Sequence, residues 1–550
     1  MRPSALLFTG LMGMASLASI TTTGQSAVST TPTAGSMPEQ SLGTAAKAGV
    51  EVTVPPLLSA LKLYRSGKFA DAEAVYNAVL KTDPKSTSAL VGLMRTQLKE
   101  KRLAEADVSL ARAMAVNPNS EEVQTAQGEL YFRQARLPEA EQIFTSLVRK
   151  GTTQARAYLG LGMIYWATST YQHAKLMLDK AHESDPDDPD IRRRWLTTLT
   201  RKERIKALKG YLDGESDDDA HEREHLETSL LTIEEAEESG RQGCRLTSKT
   251  TELHVKMEPL MYNAKRIRGY GLKAELNGTK GTFLIDTGSS GLLINRKIAE
   301  KAGIKPIVHT DVHGIGDKES VTSFIGVADT IRIGDLELQG CHVEVLDRNS
   351  VSDEDGLIGG DVFNHFLVSI NFPDKKFDLT PLPAMPAPSD VETALRKKYP
   401  DTERFHDRYI APEMKNYSSV YRFGHMLLIP TRINDSRPKL FLIDTGAFTD
   451  TISPAAAREF TKVRGEDQLK VKGLNGAVNK VFTADDIKLT FSRFRQPARD
   501  MVAFDTSKIS DDAGAEVSGM LGFAMLFQMN LKIDYRDGLV DFEYDPNRFH

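Results

Sequence analysis

The chain has only two cysteines and two tryptophans among its 550 residues, no apolar run of membrane-spanning length, and no excess of basic charge. Cys244 and Cys341 cannot staple a disulfide-dense mini-domain, and they fall short of a cysteine-based structural zinc site. Lys and Arg number 70 against 75 Asp and Glu, a net charge of −5. That balance excludes a strongly basic nucleic-acid-binding protein, so no nucleic-acid partner is expected. The first apolar run, from Ala5 to about Ala18, is shorter than the roughly 20 residues a spanning helix needs. Composition is otherwise ordinary, 40% hydrophobic and 26% charged, which rules out a coiled-coil rod or a collagen-like chain. At about 100–200 residues per domain, this length makes three or four domains, each able to bury a core.

Arg2 precedes the apolar run, and small residues including Ala and Ser close it, the pattern of a secretory signal. Residues 1–22 are therefore expected to be a signal peptide. Residues 23–52, dominated by Ser, Thr, Gly and Ala, are expected to be a disordered tether. No cysteine follows the run, which disfavours a lipid anchor. The mature protein is expected outside the cytoplasm, periplasmic or extracellular, without a transmembrane helix. There Cys244 and Cys341 are free to form one disulfide, a pairing the sequence leaves open.

From about Leu57 to Pro186 the chain repeats with a period of 34 residues. Ala72, Ala106, Ala140 and Ala174 obey it, as do Tyr64, Leu98, Phe132 and Trp166, and Tyr76, Leu110, Phe144 and Leu178. Pro84, Pro118 and Pro186 mark exits, with Thr152 in the third place. Each unit holds two helix-length stretches with apolar residues at helical spacing. The alanine lets two helices approach, and the larger side chain a turn later fills the gap. With Gly128, Tyr131, Leu161, Gly162 and Tyr165 at signature positions, the four units resemble the tetratricopeptide repeat family. The resemblance implies an all-α solenoid over residues 53–212, capped by a helix within 191–210, whose repeat residues are core. It also implies a concave face that grips a peptide or a protein partner. The acidic stretch 213–238 reads as a solvated linker or helix, part of a linker reaching residue 245, rather than a binding site.

Beyond Cys244, β-branched and aromatic residues alternate, and Gly, Asp and Asn mark turns. Phe-Leu-Ile-Asp-Thr-Gly occurs twice, at 283–288 and at 441–446. Around it, Leu276-Asn277-Gly278 answers Ile433-Asn434-Asp435, and Val312-His313-Gly314 answers Val471-Lys472-Gly473. Further on, Gly356-Leu357-Ile358-Gly359 answers Gly519-Met520-Leu521-Gly522, and Ile370-Asn371-Phe372 answers Ile533-Asp534-Tyr535. The offset drifts only from 157 to 163 residues, so one β-fold is written twice. An Asp ending an apolar strand breaks a local rule, because a buried carboxylate is costly unless hydrogen-bonded or paired. Such breaches mark functional sites. One triplet of this kind is an ordinary turn; two in matching contexts point to chemistry.

These residues resemble the aspartic peptidase superfamily of pepsins and retroviral proteases. The resemblance implies a multidomain chain in which an all-β bilobal enzyme follows the solenoid. Its lobes span 246–380 and 421–550, joined by a Pro-rich linker and helical insertion at 381–420. Asp286 and Asp444 then form the catalytic pair, supported by loops containing Thr287, Gly288 and Ser289 and, in the second copy, Thr445, Gly446 and Ala447. Gly359 and Gly522 belong to the strands under these loops. Gly314, Gly316, Gly473 and Gly476 fall in candidate flaps, neither of which has the tyrosine of pepsin-like flaps. No metal or cofactor is implied, the substrate is a protein or peptide, and the repeats recruit a protein. Two adjoining carboxylates do not easily ionise together, so one keeps a proton while the other activates a water. Ser289 against Ala447 at matching positions makes Asp286 the more acidic partner and sets activity at weakly acidic pH. The alternative is a peptide-binding scaffold with degenerate protease lobes, which two intact Asp residues disfavour. A third reading is an enzyme that is active only once dimerised through the repeats.

Three competing patterns carry less. His221-Glu222-Arg223-Glu224-His225 spells a zinc-helix pattern, but its neighbours are charged and no distinctive third ligand follows, so it reads as a solvated helix. His309 and His313 are four apart in a strand-and-turn region, which suits surface or flap roles. Ser289-Ser290 does not sit in a nucleophile elbow, so a serine hydrolase is not expected.

Overall fold

The computed structural model describes residues 5–7, 55–214, 223, 226–231, 233–234, 244–312, 314–316, 321–346, 354–402, 404–466, 469–474 and 476–548. Apart from Ala5–Leu7, a short strand parallel to residues 470–472, the expected signal peptide and the whole of the tether lie outside them.

Ten helices fill the stretch from Pro56 to Asp213: α1 Pro56–Arg65, α2 Phe69–Thr82, α3 Thr87–Lys99, α4 Leu103–Val116, α5 Glu121–Arg133, α6 Leu137–Arg149, α7 Ala155–Ala167, α8 Tyr171–Ser184, α9 Pro189–Leu196 and α10 Arg201–Asp213. The repeated alanines 72, 106, 140 and 174 are fully buried. Glycine on a neighbouring helix makes room for Tyr76, Phe144 and Leu178. A Cβ on Gly92 would stand 2.3 Å from the Tyr76 ring, and one on Gly128 or Gly160 would stand 2.5 or 2.3 Å from the Phe144 ring. The period is also written in the backbone. Gly67, Lys101, Ala135 and Ser169, spaced by 34, all have φ between 56° and 71°. Each ends a helix in a left-handed turn, and the following N–H bonds back, as from Arg136 to Tyr131 O at 2.8 Å.

Part of the acidic stretch is helical, one of the two forms expected of it, but it is not fully solvated. Leu226 is buried with Leu196 and Leu208, and Leu230 and Ile233 pack against them. Their helical spacing makes an apolar stripe that outweighs the charges around it.

From Arg245 onward the chain is strand-rich, so an all-α repeat domain is followed by an all-β one. In the first lobe, β1 (Arg266–Leu276) and β2 (Thr279–Asp286) form a hairpin, β3 (Gly356–Gly359) lies parallel to β2, and β4 (Phe366–Asn371) follows. The second lobe repeats this with β5 (Met426–Ile433), β6 (Lys439–Ile443), β7 (Gly519–Leu521) and β8 (Met529–Asp534). Both hairpins turn through left-handed residues, Asn277 and Gly278 in one, Asn434 and Asp435 in the other. β4 and β8 pair antiparallel in a six-stranded sheet that joins the lobes. Cys244 and Cys341 are disulfide-bonded, tying the segment before the first lobe to the strand Leu336–Leu346.

The repeats and the second lobe share a hydrophobic core. Phe132, Phe144 and Leu161 cluster with Met426, Leu440, Ile509 and Val517, and the rings of Phe132 and Phe423 meet edge to face, 6.1 Å apart. The inter-lobe linker docks on the start of α8. Tyr171 N–H donates to His406 O at 3.0 Å, and Asp407 accepts from Gln172 N–H at 3.0 Å and contacts His173 Nδ1 at 2.6 Å. Among the described residues no helix is long and apolar enough to cross a membrane.

A methyl at position 160 has to displace the Phe144 ring. Gly160→Ala is expected to destabilise by about 1–3 kcal/mol and to lower the temperature at which helical circular dichroism is lost. Phe144→Leu in the same chain is expected to recover part of the loss. An unchanged transition in Gly160→Ala contradicts this packing.

Candidate active site

β2 ends at Asp286, and Asp444 directly follows β6, so each carboxylate is carried on an apolar strand anchored in its own lobe. Both are fully buried. The two loops are locked by a two-fold set of hydrogen bonds. Thr287 N–H donates to Thr445 Oγ1, and Thr445 N–H donates to Thr287 Oγ1, each at 3.1 Å. The Thr287 hydroxyl donates to Ile443 O and the Thr445 hydroxyl to Ile285 O, each at 2.8 Å. A Cβ on Gly288 would stand 2.7 Å from Asp444 Cγ, so the first loop lies against the second carboxyl group. Gly359 and Gly522 pass under the loops with no room for a side chain. A Cβ would meet Ser289 O in one case and Thr449 O in the other, both at 2.5 Å.

The two carboxylates receive their donors differently. Asp286 accepts Gly288 N–H on Oδ1 at 2.9 Å and the Ser289 hydroxyl on Oδ2 at 2.7 Å. Asp444 accepts Gly446 and Ala447 N–H, both on Oδ1, at 2.9 and 2.8 Å. Its Oδ2 is buried and receives no protein donor among the described residues. Burial raises both pKa values. Asp286 rises only to about 6, because Ser289, Gly288, a hydrogen bond from Asp444 and the charge of Arg268 oppose its desolvation. Asp444 is pushed well above the carboxylate range by burial and by the neighbouring charge of Asp286. Above pH 6 the pair therefore holds one proton, with the charge on Asp286 and the proton on Asp444.

Each candidate flap crosses into the opposite lobe. Ile315, between Gly314 and Gly316, is buried in the second lobe with Met426, Leu440 and Val471. Leu474, which follows Gly473, is buried in the first lobe with Leu284, Leu293 and Leu357. A Cβ on Gly473 would stand 2.3 Å from Ile315 O, so the two tips touch. Gly473 and Gly476 face each other across a tight hairpin. His313 lies outside the described residues. His309 is on a strand, its ring 6.3 Å from that of Phe324. Ser290 holds the loop, its hydroxyl donating to Asp361 at 2.7 Å. Of the zinc-helix pattern, His221, Glu222, Glu224 and His225 lie outside the described residues.

Sequence reading missed two supporting residues. His425 is buried, its Nε2 lies 3.1 Å from Gly288 O, and desolvation lowers its pKa, so the neutral ring donates to that carbonyl. Arg268 is buried in an ion pair with Glu354, and its charge favours the Asp286 anion. They stand 157 residues apart, at the offset of the Leu276 and Ile433 turns. Extending the internal repeat upstream by eight residues would have brought them together.

Residues 272–362 match the family model for aspartyl proteases, and residues 63–130 and 125–189 match two tetratricopeptide repeat models. The protease match lies within the first lobe. The second lobe is tied to it by the repeated sequence and the threonine lock. Among solved structures, a thermophilic TPR protein of Thermus thermophilus is similar at 23% identity, covering 32% of this chain and 97% of that chain with a TM-score of 0.27. No curated protein matches.

The Ser289 hydroxyl stabilises the Asp286 anion, so Ser289→Ala is expected to move the acid limb of the pH–kcat/KM profile upward. A shift of roughly one unit is expected, since hydrogen bonds to charged groups contribute about 1.5–3 kcal/mol and one unit is about 1.4 kcal/mol. An unmoved acid limb contradicts this assignment.

Proposed function

We propose that this chain, which carries an aspartyl protease domain at 272–362 and tetratricopeptide repeats at 63–189, is an exported aspartic endopeptidase. The observation that carries the reading is the asymmetric pair. The Asp286 anion is stabilised by donors on both oxygens, while Asp444 keeps one buried oxygen that, among the described residues, receives no protein donor and can hold the shared proton. In the proposed reaction a water enters between the carboxylates when the flaps part. Asp286 takes a proton from it as general base, and the water oxygen bonds to the scissile carbonyl carbon. Asp444 gives its proton to the carbonyl oxygen, producing a neutral tetrahedral diol. As the C–N bond breaks, Asp286 returns a proton to the leaving nitrogen and Asp444 recovers one from the collapsing diol. No covalent acyl-enzyme forms and no cofactor takes part. Both carboxylates come from one chain, so the monomer suffices for chemistry. The repeats are read as the protein-recruiting part. The Cys244–Cys341 bond supports export, because structural disulfides persist in oxidising compartments.

The active form has Asp286 ionised and Asp444 protonated. Activity is therefore expected to rise as pH passes about 6 and to fall only when Asp444 loses its proton at higher pH, nearer neutrality than the weakly acidic range expected from the sequence, because burial raises both carboxyl groups. Cleavage of an unfolded protein substrate across pH 4–8, measured beside Asp286→Asn and Asp444→Asn, tests this. Each variant is expected to lose roughly 10²–10⁴-fold in rate. Wild-type chain that cuts nothing at any pH, or variants that cut as well as wild type, would refute the endopeptidase reading.

A further inference from the structure

The concave side of the repeats is walled by the second lobe. Helix α11 (Ser507–Ala513) and residues 226 and 229 close it into a groove of about 790 Å³. Eight Lys and Arg side chains line this groove against four carboxylates. Several are neutralised locally. Arg95 pairs with Glu129, Lys99 and Arg193 with Asp190, and Arg156 with Glu129, Asp188 and Asp190.

Four are differently placed. Among the described residues, Arg194 and Arg204 have no carboxylate partner, and Arg204 donates only to Leu196 O, at 2.8 Å. Lys101 and Arg133 share one carboxylate, Asp511 on α11, at 2.6 and 3.6 Å. Lys101 is 67% exposed, so its pair is weak and yields readily to a competing anion. A Cβ on Gly514 would stand 3.9 Å from Arg194 and 4.0 Å from Arg133. Both guanidinium groups therefore reach the end of α11, and the unneutralised charge is concentrated where repeats and lobe meet. Leu98, Leu159 and Met163 give the groove an apolar floor.

We propose that this composite groove binds an acidic peptide segment of another protein, whose carboxylates pair with Arg194 and Arg204 and replace Asp511 at Lys101 and Arg133. The occupant is acidic because the groove carries a surplus of cations. It is a peptide because charges spread along a groove with an apolar floor suit an extended chain better than a point ion. Occupancy is transmitted to the flap. α11 holds the first flap through Lys508 Nζ, which donates to Gly316 O at 2.7 Å. Freeing Asp511 removes the two ion pairs between α11 and the repeats, leaving Ile509 and Ala513 in the shared core, and the Lys508 contact to the flap loosens with them.

The test is fluorescence anisotropy with the full chain and a labelled dodecapeptide of Glu, Asp and Leu, beside its counterpart with Lys in place of the acids. The acidic peptide is expected to bind with an affinity that falls as salt rises, and the Lys peptide not to bind. Arg194→Ala with Arg204→Ala is expected to weaken binding at least tenfold, and Asp511→Asn to strengthen it several-fold. Thermal melts of each variant check that the fold is intact. Hydrogen exchange at residues 314–316 is expected to quicken with peptide bound. Absent binding at low salt in both wild type and Asp511→Asn overturns the proposal, as does binding indifferent to the two arginines. Binding that emerges only when the chain's own acidic residues 215–222 are replaced by Gly and Ser assigns the groove to that segment and overturns an external partner. Unchanged exchange in the bound state overturns the coupling to the flap. None of these readouts needs peptide-bond cleavage, so an inactive chain would sink the endopeptidase reading and leave the groove standing.

Discussion

Two carboxyl groups removed from water at one point cannot both be charged, and the rest of this architecture follows from keeping them together anyway. Two unit charges about 4 Å apart repel by roughly 4 kcal/mol at the effective dielectric constant of a protein site. Holding such a pair needs a scaffold stiff enough not to relax by separating. The threonine lock supplies it with four hydrogen bonds that cross between lobes. Each loop also rests on a strand that must be glycine at the contact, Gly359 and Gly522. The pairing of β4 with β8 joins the lobes so that the lock is not the only tie. One retained proton is the remaining way to relieve the repulsion, and the donor pattern chooses which carboxyl keeps it.

Near two-fold symmetry and a functional asymmetry coexist here. Strands, turns and threonines repeat, yet Ser289 is matched by Ala447 and Arg268 by His425. Both differences touch the surroundings of the first loop. Ser289 donates to Asp286, His425 donates to the carbonyl of Gly288, and the Arg268 charge favours the Asp286 anion. The second carboxyl, which among the described residues accepts only backbone N–H groups, both on one oxygen, is left as the proton holder.

Much of this was legible in the residues. The 34-residue period marks the buried alanines because each must sit where two helices touch, and the duplicated Asp-Thr-Gly marks the pair because a carboxylate at the end of an apolar strand has no packing reason to be there. The Ser289 and Ala447 contrast is a difference of one hydroxyl, and it needs only the register of the repeat to be read. Contacts between modules were not legible. Phe132 reads as a repeat core residue, and nothing near it announces that its ring also meets Phe423. Arg268 lies in a strand with ordinary charged neighbours, so its burial against Glu354 shows only in three dimensions. Ile315 and Leu474 are single apolar residues in glycine-rich turns, and their exchange between lobes depends on how the lobes face each other. In the charge-rich segment around Leu226 the net charge hides a short apolar stripe, so its packing against Leu196 and Leu208 shows only in the structure.

The shared proton is the central claim, and carboxyl 13C chemical shifts of aspartate-labelled protein, followed from pH 3 to 9 with Asp286→Asn and Asp444→Asn spectra for assignment, test it most directly. The account predicts that Asp286 ionises near pH 6 while Asp444 stays protonated through neutrality. It also predicts that replacing Asp286 lowers the pKa of Asp444, because its charged neighbour is gone. Two carboxyl groups that both ionise near pH 4, each indifferent to replacement of the other, would contradict it.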